Sequence, residues 1–152
     1  MIMLNYLPRN ELERIYSLEC EPETRSALFA DACRINALYM ITYAGSGHIG
    51  SSFSSLDIVS WLFLNEMKRD VHGLYKDVYF SSKGHDVPGL YAVLTGLGII
   101  EFDAIHQLRR INGLPGHPDV ATPGIPTNTG SLGMGISKAK GMALANRIKG
   151  VN

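Results

Sequence analysis

The apolar positions of the chain fall into helical patterns separated by glycine-rich turns. Asn10 ahead of ELERIYSL reads as a cap on a short helix with Glu11 and Glu13 in its first turn. Glu21-Pro22-Glu23 opens a longer helix, with Leu28, Ala32, Ile35, Tyr39 and Thr42 at three- and four-residue spacing and an end at Ala44-Gly45. Ser54-Ser55 opens LDIVSWLFLNEM, whose Leu56, Val59, Leu62 and Phe63 leave it apolar nearly all round and predict a buried helix. Asp77 to Ser82 is a compact β-branched and aromatic run and predicts a strand. It leads through Lys83-Gly84-His85 into a helix from about Pro88 that stops at Gly96 and Gly98, followed by a second short helix in DAIHQLRRI. The last pattern, ISKAKGMALANRIK, is amphipathic, with Ile136, Ala139, Met142, Ala143 and Ile148 on one face and Lys138, Lys140, Arg147 and Lys149 on the other.

Strand, turn and helix in that order form one α/β unit, in which ligands bind where the strand's carboxyl end meets the helix. His85 stands at that place. Between the last two helical patterns runs a long loop, Gly113 to Gly135, holding six of the 16 glycines and four of the seven prolines. No helix or strand passes through such a stretch, and loops of this length inside a compact domain are functional or disordered. It carries His117, Asp119, Thr122, Thr127 and Thr129, then a turn from Gly130 to Gly135 that feeds a helix, whose first amides are free to bind an anion. Two readings stay open: a ligand-binding loop, or a structural loop pinned by its prolines.

Composition narrows the function classes. At 152 residues the chain is long enough for one domain with a sizeable core. The 14 basic and 14 acidic residues balance, and basic residues adjoin only as Lys68-Arg69 and Arg109-Arg110, which argues against nucleic acid. The N-terminus lacks the basic and apolar regions of a leader, and no uncharged apolar run reaches membrane-spanning length, so the expectation is a cytoplasmic protein without a membrane partner. Cys20 and Cys33 have no metal or redox spacing and read as reduced core thiols.

The familiar motifs fail. There is no phosphate-binding G-x-x-x-x-G-K-[ST], the glycines of the 130–135 turn run G-x-x-G-x-G rather than G-x-G-x-x-G, and neither HExxH nor G-x-S-x-G occurs. What remains is His48, His85 and His117, each beside a glycine, each in a predicted turn, and separated by whole elements. That arrangement suggests convergence on one polar pocket, whereas His72 and His106 read as surface or filler positions.

Taken in order, Gly47-His48-Ile49-Gly50, Ser82-Lys83-Gly84-His85, Gly116-His117-Pro118-Asp119, Thr122-Pro123-Gly124-Ile125 and Thr129 to Gly135 closely resemble the opening part of the thiamine-diphosphate domain of transketolases. The resemblance covers about residues 25 to 149 and is greatest to short transketolases whose N- and C-terminal halves are separate polypeptides. It implies an α/β fold, an incomplete, helix-rich portion of a parallel sheet flanked by helices, in a single domain over residues 1–152 with an N-terminal helical arm at 1–21. It also implies an enzyme that transfers a two-carbon ketol unit between sugar phosphates. In that reading His85 lies near the cofactor diphosphate, while His48 and His117 bind sugar hydroxyls and assist proton movements. Gly130 and Leu132 line the cofactor. The chemistry fits, since imidazoles supply donors, acceptors and exchangeable protons near neutral pH while thiamine diphosphate carries the hard step.

Ile49 and Ser131 stand where many transketolases have proline, and Asp119 where they have glutamate. The family's Gly-Asp-Gly magnesium motif has no counterpart: none of the seven aspartates lies between glycines. The expectation is therefore a truncated subunit that is inactive alone, with Mg2+ ligands outside this chain. It would work with a C-terminal transketolase subunit or domain, in a homo- or hetero-oligomer. The alternative is a non-catalytic binding or assembly protein that keeps part of the fold.

Overall fold

A computed structural model of the chain describes residues 4–150; Met1 to Met3, Val151 and Asn152, which the sequence reading placed in the arm and at the end of the domain, lie outside the described residues. Five α-helices follow one another: α1 (Arg9–Tyr16), α2 (Pro22–Ala44), α3 (Ile49–Trp61), α4 (Val87–Gly96) and α5 (Met134–Lys149). A π turn, Leu62–Glu66, continues α3, and a 3-10 turn, Phe102–His106, stands where the DAIHQLRRI helix was expected.

The long helix has the expected bounds for the expected reasons. Pro22 occupies its first turn, and Gly45 closes it in the left-handed region at φ +67°. Two other starts lie earlier than the capping residues suggested. α1 begins at Arg9 after Pro8, whose carbonyl accepts the Glu11 and Leu12 amides, so Asn10 lies inside the helix. α3 begins at Ile49 with His48 as its capping residue, five residues before Ser54.

The core is the meeting of α2, α3 and α4, with α1 laid across α2 and α4. Every residue of α4 is buried. Two glycines permit the close crossings: a Cβ on Gly96 would come within 3.0 Å of the Phe29 ring, and one on Gly89 within 3.0 Å of the Ser52 carbonyl. The face of α2 turned inward is Phe29, Cys33, Asn36, Ala37 and Met40, while Leu28, Ile35 and Thr42 of the expected stripe are exposed. Asn36 is buried because its amide accepts from the Leu7 N–H (2.8 Å) and donates to the Leu7 carbonyl (3.0 Å), which ties down the segment preceding α1. Cys33 is a core thiol, as expected, and burial raises its pKa; Cys20 is exposed instead.

No strand forms among the described residues, which overturns the parallel sheet over this part of the chain. Residues 77–82 run without regular secondary structure and without a ladder partner. A strand is defined by the pairing of its amides and carbonyls, and no second run lies beside this one to supply it. Beside it opens a groove of about 480 Å³ lined by Phe63, Tyr75, Tyr79, Leu94 and Ile125. The same run also lines a hollow of about 320 Å³ against Gly135, Ile136 and Ala139 of α5. That helix buries only Gly135, so Ile136, Ala139, Ala143 and Ile148 of its apolar face meet solvent, and Ile58 of α3 is likewise exposed rather than buried.

Candidate functional site

The site is built where the starts of α3 and α4 meet the glycine turn before α5. Ser52 makes the first connection. Its amide donates to the His48 carbonyl at 3.2 Å and its hydroxyl to the Asp86 carbonyl at 3.3 Å, so one buried serine joins the residue that caps α3 to the residue that caps α4. The consequence is a close pair of imidazoles: the rings of His48 and His85 lie 4.8 Å apart, centre to centre, at 56°.

The turn carrying His85 requires glycine at position 84, which has φ +70° and would place a Cβ 2.8 Å from the Cα and amide nitrogen of Gly130. Gly130 in turn lies against His117, whose ring carbon Cδ2 is 3.4 Å from the position of a Cβ at Gly130. Three segments distant in sequence thus come together, the 83–85 turn touching both the His48 helix start and the Gly130 backbone. His48 and His117 are exposed and His85 is half-buried, so all three rings can be reached by a ligand.

Past Gly130 the chain turns through Gly133, at φ +87°, into α5, and the Gly135 amide donates to Ser82 Oγ at 3.0 Å. The amides of Gly130, Ser131, Leu132 and Gly133 make no hydrogen bond to another described residue. Leu132 is 75% exposed, and a Cβ on Gly133 would meet nothing within 4 Å. Open backbone at a helix start of this length suits an anion such as a diphosphate.

The other half of the long loop is spent on itself. Asp119 accepts from the Ala121 amide (2.8 Å) and the Asn128 side chain (3.4 Å), and Asn128 accepts from the Val120 amide (2.9 Å). Thr122, Thr127 and Thr129 are buried, Thr127 accepting from Lys138 Nζ at 3.0 Å. Asp119, which the sequence offers as a ligand group, therefore serves the loop's own shape, whereas the buried Thr129 hydroxyl has no partner among the described residues.

Sequence reasoning gave no role to Lys83 and Asp86, which flank Gly84-His85. Lys83 Nζ donates to the Ser51 carbonyl at 3.4 Å and lies 3.6 Å from Asp86 Oδ2, which also accepts from Ser81 Oγ at 2.6 Å. The signal was present as a basic and an acidic residue three apart across the histidine. His106, read as a surface or filler position, bonds the Tyr39 hydroxyl of α2 through Nδ1 at 2.7 Å. No group of three or more His, Cys, Asp or Glu side chains that could hold a metal ion occurs among the described residues, and no helix there is long and apolar enough to cross a membrane.

The chain matches the family described as transketolase, thiamine diphosphate binding domain, over residues 25–151. It is 40% identical over 121 residues to the 6-deoxy-6-sulfo-D-fructose transketolase subunit SqwG of Clostridium sp. (strain MSTE9), covering 76% of this chain and 44% of that protein. It is 37% identical over 109 residues to one of the subunits of the apulose-4-phosphate transketolase of Actinobacillus succinogenes, covering 68% of this chain and 40% of that one. Human transketolase is 36% identical over 122 residues, 78% of this chain and 20% of the human protein. The chain thus spans less than half the length of these relatives.

Proposed function

The chain belongs to the transketolase family, through its thiamine-diphosphate-binding domain, and from that premise we propose that it contributes substrate and cofactor contacts to an enzyme moving a two-carbon ketol unit between sugar phosphates. The observation that carries the reading is the meeting of the His48–His85 pair with the open Gly130–Gly133 turn, against which His117 lies. His48 and His117 act on the substrate as hydrogen-bonding and proton-exchanging groups within reach of solvent. His85, Gly130 and Leu132 serve the cofactor. The free amides from Gly130 to Gly133 fit its diphosphate, and the glycines leave room for its close approach. When bound, thiamine diphosphate supplies the nucleophilic carbon that accepts the ketol unit. The magnesium ligands are expected outside this chain, and a C-terminal transketolase subunit or domain is the expected partner, since two of the relatives are themselves transketolase subunits.

The test is reconstitution. Supplied with the remaining segments of a split transketolase, thiamine diphosphate and Mg2+, the protein should transfer a ketol unit from a ketose phosphate to an aldose phosphate, and its His117→Ala variant should do so far more slowly. Full assembly without transfer would favour the alternative, a non-catalytic assembly protein.

A further inference from the structure

Asp86 is 3% exposed, yet its carboxylate is poorly satisfied: Oδ2 has the Ser81 hydroxyl and the distant Lys83 ammonium, and Oδ1 has no partner at all. Burying such a group is unfavourable, so its presence asks for a reason. The usual reason for an aspartate just before a helix fails, because its side chain makes no capping bond to α4. Its charge is felt nearby: burial first, and Asp86 second, push the Tyr79 phenol up.

What the carboxylate does hold is Lys83. That side chain, 37% exposed, leaves the 81–86 turn and donates to the Ser51 carbonyl in the first turn of α3. Ser51 in turn donates through its hydroxyl to the His48 carbonyl at 3.2 Å. Lys83 is therefore a bridge between the segment bearing His85 and the segment bearing His48, with Asp86 behind it. We propose that Asp86 is a positioning residue, which fixes the Lys83 ammonium across to α3 and so sets the 4.8 Å spacing of the His48 and His85 rings. The inference rests on the reading of those two rings as working groups, but concerns only how this chain holds them.

The experiment uses the chain itself. Asp86→Asn keeps an acceptor for Ser81 and removes the charge. The thermal midpoint should stay or rise, Lys83 acylation mapped by mass spectrometry should quicken about fivefold, the scale of a partly exposed ion pair, and the nuclear Overhauser contact between the His48 and His85 rings should be lost. Lys83→Met keeps the stem of the bridge and removes its charge, and should lose the same ring contact. A merely structural aspartate would lower the midpoint while leaving the rings in contact, and that result overturns the proposal. If Asp86→Asn does not fold, Lys83→Met decides alone: a retained ring contact overturns the proposal and a lost one supports it. Activity of a reconstituted enzyme is not read here, so failure of the positioning role and failure of the proposed function are told apart.

Discussion

A Cβ on Gly84 would lie 2.8 Å from the Cα and the amide nitrogen of Gly130. This backbone contact, across 46 positions of sequence, sets the floor of the histidine site. Gly84→Ala meets two obstacles, a positive φ of +70° and the Gly130 backbone, which cannot rotate away as a side chain would. The first costs about 1–2 kcal/mol and the second about 1–3 kcal/mol, a large share of an ordinary domain's stability. Urea unfolding should show the loss, whereas Gly133→Ala, with the same sign of φ but open space around it, should show only the smaller one.

The two kinds of histidine should separate in an assembled enzyme. His117 is exposed and supports little core, so His117→Ala is expected to lower the transfer rate about 10²- to 10⁴-fold while shifting stability by no more than about 0.5 kcal/mol. His85→Ala should act chiefly on thiamine diphosphate affinity. Equal losses of stability and activity in either variant would leave only a structural role.

The isolated chain is expected to self-associate. Ile136, Leu144 and Ile148 of α5 are 70%, 59% and 78% exposed, and Val78 in the unpaired 77–82 run is 58% exposed. Each large apolar side chain left uncovered forgoes roughly 1.5–3 kcal/mol of burial, and adjacent ones make a patch. Light scattering at micromolar concentration should detect oligomers, and replacing Ile136, Leu144 and Ile148 together by serine should reduce them. A monodisperse wild-type monomer that binds no hydrophobic dye would contradict this expectation.

Stability should fall on the alkaline side. Burial raises the pKa of the Cys33 thiol from its ordinary 9.0, and those of the Tyr79 and Tyr91 phenols from 10.0. An acid whose folded pKa is raised keeps its proton longer in the native state, so stability is complete below the unfolded values and declines as pH rises through 9 and 10. The slope reaches about 1.4 kcal/mol per pH unit for each group titrating only in the unfolded chain. Denaturant midpoints from pH 7 to 11 test this. In the native state at pH 8, one thiol, Cys20, should react with an alkylating reagent and Cys33 should not.

The sequence by itself determined what is written in short-range chemistry. Pro22 and Gly45 bound α2, the Gly130–Gly135 turn opens α5, and glycines flank the three histidines, because each depends on φ, on a missing amide proton or on a missing Cβ. Tertiary structure decided what depends on neighbours. α2 is apolar on more than one side, so its sequence leaves the phase of burial open; contact with both α3 and α4 chose Phe29, Cys33 and Met40 over Leu28 and Ile35. Residues 77–82 have strand propensity and no strand, since propensity supplies no ladder partner. The 4.8 Å pairing of His48 with His85 and the Lys83–Asp86 bridge beside it need the packing of Ser52 of α3 against Asp86 and Gly89 at the start of α4, a close approach that no local pattern encodes.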